Sequence, residues 1–161
     1  MDLGDFFYIK RSLGQNGKPI DVYKIRTMRS SGEVSTDLDL YGKPLCDERP
    51  TRMGRILRKY WIDELPQLYN WAIGDLKLVG IRPMEFEKWS PYPSDIKERA
   101  LRQKPGLIGV QYSCSNVGLF EDHCDLLREY LDGSEGAPIK TDLKYFGLVL
   151  FNILFRGVRS S

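Results

Sequence analysis

Two adjacent carboxylates, Asp63 and Glu64, are the residues most able to do chemistry in this chain. A carboxylate can serve as a covalent nucleophile toward phosphorus and as a ligand for a hard cation. Arg58 precedes the pair, and Arg82-Pro83 follows it beyond a predicted strand. A guanidinium binds phosphate oxygens through a planar, bidentate fork. The pair also sits at a predicted helix start, where free N–H groups and the positive end of the helix favour anions. Acidic residues are common capping groups in a first helical turn, so Asp63-Glu64 alone reads as a cap. The flanking arginines turn the reading toward phosphate.

Other reactive residues carry less. Arg49, Arg52, Arg55, Arg58 and Lys59 form a basic cluster that could hold phosphate or an anionic membrane surface, or simply be a solvated helix face. Cys46, Cys114 and Cys124 are odd in number and lack paired CxxC spacing, which argues against a disulfide framework and against zinc, and fits a reducing compartment. His123 is expected to be a surface or hydrogen-bonded residue.

The elements that must position these groups are short. The 161 residues suit one domain, and 42% hydrophobic with 29% charged residues is an ordinary globular balance. The net charge of +2 predicts no partner. Phe6–Ile9 and Ile20–Met28 read as a hairpin around the turn residues Gly14–Pro19, with Val22, Lys24 and Arg26 on one face. Residues 29–50 read as a long loop. Thr51 is placed to cap a helix through Arg58, with Met53, Ile56 and Leu57 on its apolar side. A second helix is expected from Asp63 to Gly74, with Pro66 in its first turn and Leu65, Leu68, Tyr69 and Ala72 on one face. A strand over 76–79, a helix over 95–103 capped by Ser94, a strand over 107–112, a helix over 122–131, a loop from Gly133 to Pro138 and a last helix opened by Thr141 complete an α+β domain. The last helix, taken as 142–156, would be about 22 Å long. That is short of a hydrocarbon core of about 30 Å. It is apolar almost all round, with Lys144, Arg156 and Arg159 at its ends, so it reads either as an interfacial helix or as a core helix. No signal peptide or twenty-residue apolar stretch is present.

Several motifs in order resemble one family. Tyr23–Met28, Thr51–Arg58, Ile62–Leu68, Gly74–Pro83, Lys104–Gly109 and Asp142–Lys144 are similar to the successive signature segments of the bacterial sugar transferases, from about Phe6 to Gly157. The resemblance implies a monotopic phosphoglycosyl transferase at the cytoplasmic face of the bacterial inner membrane. Such an enzyme passes a phosphosugar from a UDP-sugar to a polyprenyl phosphate, releases UMP, and initiates surface glycan or exopolysaccharide assembly. It further implies that Asp63 is the nucleophile, forming a phosphosugar-aspartyl intermediate, that Glu64 assists proton transfer or metal placement, and that a magnesium ion lies near Asp63. Arg58 and Arg82 are assigned to the substrate phosphates, with Lys24, Arg26 and Lys104 as further candidates. The chain departs from the pattern at Trp61, at Ile81 and over Gln111–Asn116. It also begins, at Met1–Asp5, where the family's N-terminal membrane-inserted segment should end. Two other readings compete. One is a catalytically silent membrane-surface or assembly protein that keeps the fold. The other is a nucleic-acid-binding module on the Arg49–Lys59 cluster, which no RRM, KH or helix-turn-helix signature accompanies.

Overall fold

The computed structural model describes residues 6–29, 49–114 and 119–157. Cys46, Arg159, Met1–Asp5, most of the 29–50 segment and the end of Gln111–Asn116 lie outside the described residues. The architecture is α+β: two small sheets and several helices. Strands β1 (Phe7–Leu13) and β2 (Pro19–Ile25) form an antiparallel hairpin in register from Phe7 opposite Ile25 to Leu13 opposite Pro19. The tight turn between them is made by Asn16 and Gly17, both at positive φ (58° and 70°), as the Asn-Gly pair predicts. β2 ends at Ile25, short of the expected Met28, which instead makes an isolated bridge to Pro50.

Thr51 caps α1 (Arg52–Lys59) by accepting from the Gly54 N–H at 2.8 Å. Gly54 is the buried position of α1, because a Cβ there would overlap the Thr27 carbonyl. Of the expected apolar side, Met53 and Ile56 are exposed and Leu57 is half-buried. The second helix starts later than its periodicity suggested. Ile62–Glu64 is a single 3₁₀ turn, and α2 spans only Gln67–Ala72, entered through Pro66 and closed by Gly74 at φ 85°. Its orientation is also the reverse of the expected one. Leu65, Leu68, Tyr69 and Ala72 are exposed, whereas Gln67 and Asn70 are fully buried.

β3 (Lys77–Gly80) pairs in parallel with β4 (Gly106–Gly109), and α3 (Ser94–Arg102) lies in the crossover between them. α3 is entered from Pro93, and Ser94 makes no capping bond. β4 is followed by a 3₁₀ turn, Val110–Ser113, where a continuing strand was expected. α4 (Phe120–Gly136) runs through the expected loop at Gly133, and α5 (Pro138–Phe155) follows after Ala137. Gly133 can stay helical there because α5 crosses closely: a Cβ on it would lie 2.9 Å from the Thr141 hydroxyl. The main core joins these elements through Val79, Trp89, Ile96, Val110, Leu127 and Tyr130. α5 contributes Thr141, Tyr145, Val149 and Asn152, one stripe at helical spacing, while Leu143, Leu154 and Phe155 stay exposed. One stripe therefore packs as a core helix would, and the opposite face remains open. Lys77 fixes α5 to the parallel sheet by donating to the Tyr130 hydroxyl at 2.7 Å and to both Asp142 oxygens at 3.0 Å. No helix among the described residues is long and apolar enough to cross a membrane.

Candidate active site

The 3₁₀ turn carries Asp63 and Glu64 inward, each less than a tenth exposed. Burying a carboxylate is costly unless it is paired, and the two residues meet that cost differently. Glu64 takes both arms of the Arg82 guanidinium, Nη1 to Oε2 and Nη2 to Oε1, each at 2.6 Å. Its Oε1 also accepts from Lys24 Nζ at 2.9 Å. Desolvation pushes the Glu64 carboxyl up, but Arg82 and Lys24 together outweigh it and hold it below its ordinary value. Glu64 is therefore an ionised, hydrogen-bonded anchor.

Asp63 has no such clamp. Its Oδ1 is buried and has no hydrogen-bond partner among the described residues. Desolvation raises its pKa, with Lys24 and Arg58 pulling the other way and the Glu64 charge adding to the rise. Arg58, half-buried in the last turn of α1, is thus close enough for its charge to be felt at Asp63. A buried, partnerless carboxylate oxygen in a field of cations is suited to a hard cation or to a reacting phosphorus.

The backbone before the pair is strained. Trp61 holds φ 62°, a region a bulky residue rarely occupies. Its ring packs edge-on against Tyr112 at 4.5 Å between centroids, and its indole N–H is buried without a partner among the described residues. Trp61 is one of the positions at which the chain departs from the family pattern, and the Tyr112 contact shows what the large ring does here. Ile81, another departure, is a buried member of the core.

The structure gathers Lys24, Glu64 and Arg82 into one ion-pair web beside Asp63, with Arg58 near it. It does not gather all the candidates. Arg26 is exposed past the end of β2. Lys104 is exposed with its ammonium near Gly74, at the opposite end of α2 from Asp63. Neither makes a hydrogen bond or ion pair with Asp63 or Glu64. His123 is buried, meets the Tyr92 ring edge-on, and is lowered in pKa by desolvation, so of the two expected settings, surface or hydrogen-bonded, the surface one does not hold.

Three contributors escaped sequence reasoning. Asn70 is wholly buried, donates to the Asp21 carbonyl at 2.7 Å and accepts from the Tyr23 N–H at 3.2 Å. Its carboxamide thereby pairs with β2 as a neighbouring strand's peptide would, setting Lys24 against Glu64. Gln67 is fully buried four residues after Asp63, and both of its amide atoms lack partners among the described residues. Lys10 lies on β1 opposite Val22, and desolvation, followed by the Lys88 charge, brings it down to about 8; Lys24 and Arg82 push in the same direction. A basic residue on the strand facing Lys24 was the available signal for Lys10. Nothing in the spacing marked Asn70.

Residues 1–154 match the sequence profile described as bacterial sugar transferase. The chain is 38% identical over 163 residues to the galactosyl transferase CpsE of Streptococcus agalactiae serotype III, covering 95% of this chain and 35% of that protein. It is 36% identical over 122 residues to the undecaprenyl-phosphate galactose phosphotransferase of Salmonella typhimurium, covering 68% of this chain and 25% of that protein. It is 43% identical over 99 residues to the UDP-glucose:undecaprenyl-phosphate glucose-1-phosphate transferase of Caulobacter vibrioides, covering 60% and 36%. The chain thus spans about a third or less of the length of these three relatives.

Proposed function

This chain belongs to the bacterial sugar transferase family, and on that premise we propose that it transfers a phosphosugar from a UDP-sugar to a polyprenyl phosphate with release of UMP. The observation that carries the reading is the contrast within the dyad: Glu64 is saturated by Arg82 and Lys24, while Asp63 is buried beside it with a partnerless oxygen. An Asp63 carboxylate oxygen attacks the β-phosphorus. The bond from that phosphorus to the oxygen bridging it to the α-phosphate breaks, and UMP leaves with the electron pair. A phosphate oxygen of the polyprenyl phosphate then attacks the same phosphorus, displaces the carboxylate and forms the polyprenyl diphosphate sugar. Glu64, acting through Arg82 and Lys24, holds the cations around the reacting phosphorus, and Arg58 adds charge from the other side. Phosphoryl transfer depends above all on such positioning and charge neutralisation.

Magnesium fits this donor set, because it commonly takes one or two protein carboxylates and fills its shell with water and phosphate oxygens. Asp63 would hold it, and it would supply neutralisation of the diphosphate charge.

The acceptor's lipid tail requires an apolar surface near the dyad, and the exposed Leu65, Leu68, Tyr69, Trp71 and Ile73 of the α2 segment provide one. Together with Phe151, Leu154 and Phe155 of α5 they support a position at the cytoplasmic face of the bacterial inner membrane. The decisive test is Asp63→Asn with UDP-sugar and polyprenyl phosphate. UMP release and the phosphosugar adduct seen by intact mass in the parent protein should both vanish. An adduct on the variant removes Asp63 as nucleophile. A parent that binds membranes but never releases UMP leaves the silent assembly protein as the reading.

A further inference from the structure

Beside the cation web lies a groove of about 340 Å³ between β1 and the turn at Glu85–Glu87. That is at the small end of the range of about 300–1,000 Å³ for ligand sites, so it suits a single sugar ring better than a whole nucleotide. One wall is Tyr8 and Ser12 of β1; the other is Glu85, Phe86 and Glu87. The walls are tied together where the Leu13 N–H donates to the Met84 carbonyl at 2.8 Å. We propose, building on the phosphosugar-transferase reading, that this groove receives the sugar ring of the nucleotide-sugar donor and sets which sugar is accepted.

Three features point to a polyhydroxylated ligand. Ser12 is 3% exposed, lines the groove, and its hydroxyl has no partner among the described residues. A buried hydroxyl without a partner is an expensive vacancy that a ligand hydroxyl would fill. Glu85 and Glu87 add carboxylates, which accept from sugar hydroxyls and repel phosphate. Tyr8 and Phe86 add exposed aromatic faces for the apolar side of a ring.

The position agrees with the chemistry. Lys10 stands on the same strand face, between Tyr8 and Ser12, and its ammonium lies 3.7 Å from Glu85 and 3.5 Å from the Pro83 carbonyl. It pairs with Val22, two residues before Lys24 on β2, and its ammonium meets the carbonyl of the residue after Arg82, so it stands beside the two cations that hold Glu64. Lys24 and Arg82 thus lie on the Glu64 side, and Glu85 and Glu87 line the groove together with the exposed Arg11, with the Lys10–Glu85 pair between the two. A phosphosugar has the same order: phosphate first, hydroxylated ring beyond.

The test uses Ser12→Ala and Glu87→Gln, the second at an exposed position that does not burden the fold. Initial rates are measured with UDP-glucose, UDP-galactose and their N-acetylated counterparts, and UMP serves as the sugar-free inhibitor. The expected result is a fall in kcat/KM of tenfold or more for the preferred donor, or a changed order of preference, with the inhibition constant of UMP unaltered. Wild-type kcat/KM toward every donor in folded Glu87→Gln, with Ser12→Ala either equally active or unfolded, overturns the proposal. A parallel loss of UMP inhibition also overturns it, by assigning the groove to the nucleotide. A parent protein that releases UMP from none of these donors fails the transferase reading itself, and the sugar groove falls with it.

Discussion

The molecule contains two regions built on opposite principles. Around α3, α4 and α5 the interior is apolar, with Ile96, Leu127, Leu131 and Val149 buried, and the surface carries ion pairs such as Arg99 with Asp132 and Glu135. From α1 to α2 the arrangement inverts. Asp63, Glu64, Gln67 and Asn70 are buried, while Met53, Ile56, Leu65, Leu68 and Trp71 face outward. The first region needs only water around it and hydrocarbon within. The second assembles charge inside and offers hydrocarbon outside, an arrangement favourable where water is not the neighbour. The inversion teaches that a helical period identifies an apolar face without saying which way that face points.

The largest effect should come from breaking the polar interior at its centre. Arg82→Ala leaves Glu64 buried with only Lys24, and loss of one partner of a buried pair costs about 3–5 kcal/mol. Arg82→Lys keeps the charge but not the fork, so it should recover only part of that. The same pair sets an acid limit. Because the folded Glu64 carboxyl lies below its ordinary value of 4.5, its contribution to stability is complete above that value and is lost as pH falls through the lower folded one. Urea midpoints between pH 7 and pH 3 check this: the parent should lose stability on the acid limb, and Glu64→Gln should lose less. An identical acid limb in both proteins would mean that the pair carries no net stabilisation.

Next comes Asn70→Ala, which strands the Asp21 carbonyl and the Tyr23 N–H. Unsatisfied buried groups cost about 1–3 kcal/mol. Because β2 carries Lys24, the variant should also lose activity beyond what its stability explains. Asn70→Asp keeps the acceptor for Tyr23 but sets a buried, unpaired carboxylate against the Asp21 carbonyl and Asp75, so it should cost at least as much as Asn70→Ala. Activity that follows stability alone would make Asn70 a packing residue only.

Much of the regular half of the molecule was legible in the sequence. The Asn16-Gly17 turn, the Thr51 cap, the Gly74 stop and the last helix are each dictated by local chemistry, and the structure has them. That Arg82 stands near the Asp63-Glu64 pair was legible from residue type and order; its bidentate hold on Glu64 was not, since its guanidinium and position pointed to substrate phosphate. What was not legible depends on three-dimensional neighbours. The 3₁₀ turn at Ile62–Glu64 and the positive φ of Trp61 accompany a packing contact with Tyr112, a residue distant in sequence. Asn70 became visible only once β2 was seen beside α2. The expected loop at Gly133 failed because glycine here serves a close helix crossing and not a chain break.

The outward apolar face gives a smaller effect on folding than either interior change. Leu65 is 55% exposed and Leu68 is 48% exposed, so Leu65→Asp with Leu68→Asp should change the unfolding free energy from urea titration by no more than about 0.5 kcal/mol per site. If this face meets lipid, the same pair of changes should reduce sedimentation with anionic phospholipid vesicles several-fold. Unchanged sedimentation would limit membrane contact to α5, where Phe151→Asp with Phe155→Asp is the matching test.

The smallest effect is expected at the surface of the conventional region, and it isolates what makes the inverted one different. Arg99 and Arg82 look alike in bond lengths. Arg99 reaches Asp132 at 2.6 Å and Glu135 at 2.7 Å, and Arg82 reaches both oxygens of Glu64 at 2.6 Å. Their partners differ: Asp132 and Glu135 are 69% and 54% exposed, and Glu64 is 8% exposed. An exposed carboxylate left without its arginine is rehydrated at once, so Arg99→Ala should cost no more than about 1 kcal/mol, most of it removable by salt. Arg82→Ala should cost several times as much and respond less to salt, because Glu64 is largely shielded from solvent. Urea titrations of both variants at 0.05 M and 1 M sodium chloride make the comparison directly. Equal costs at both sites would mean that bond geometry, and not burial, sets the strength of these pairs, and the contrast between the two regions would then have no energetic content.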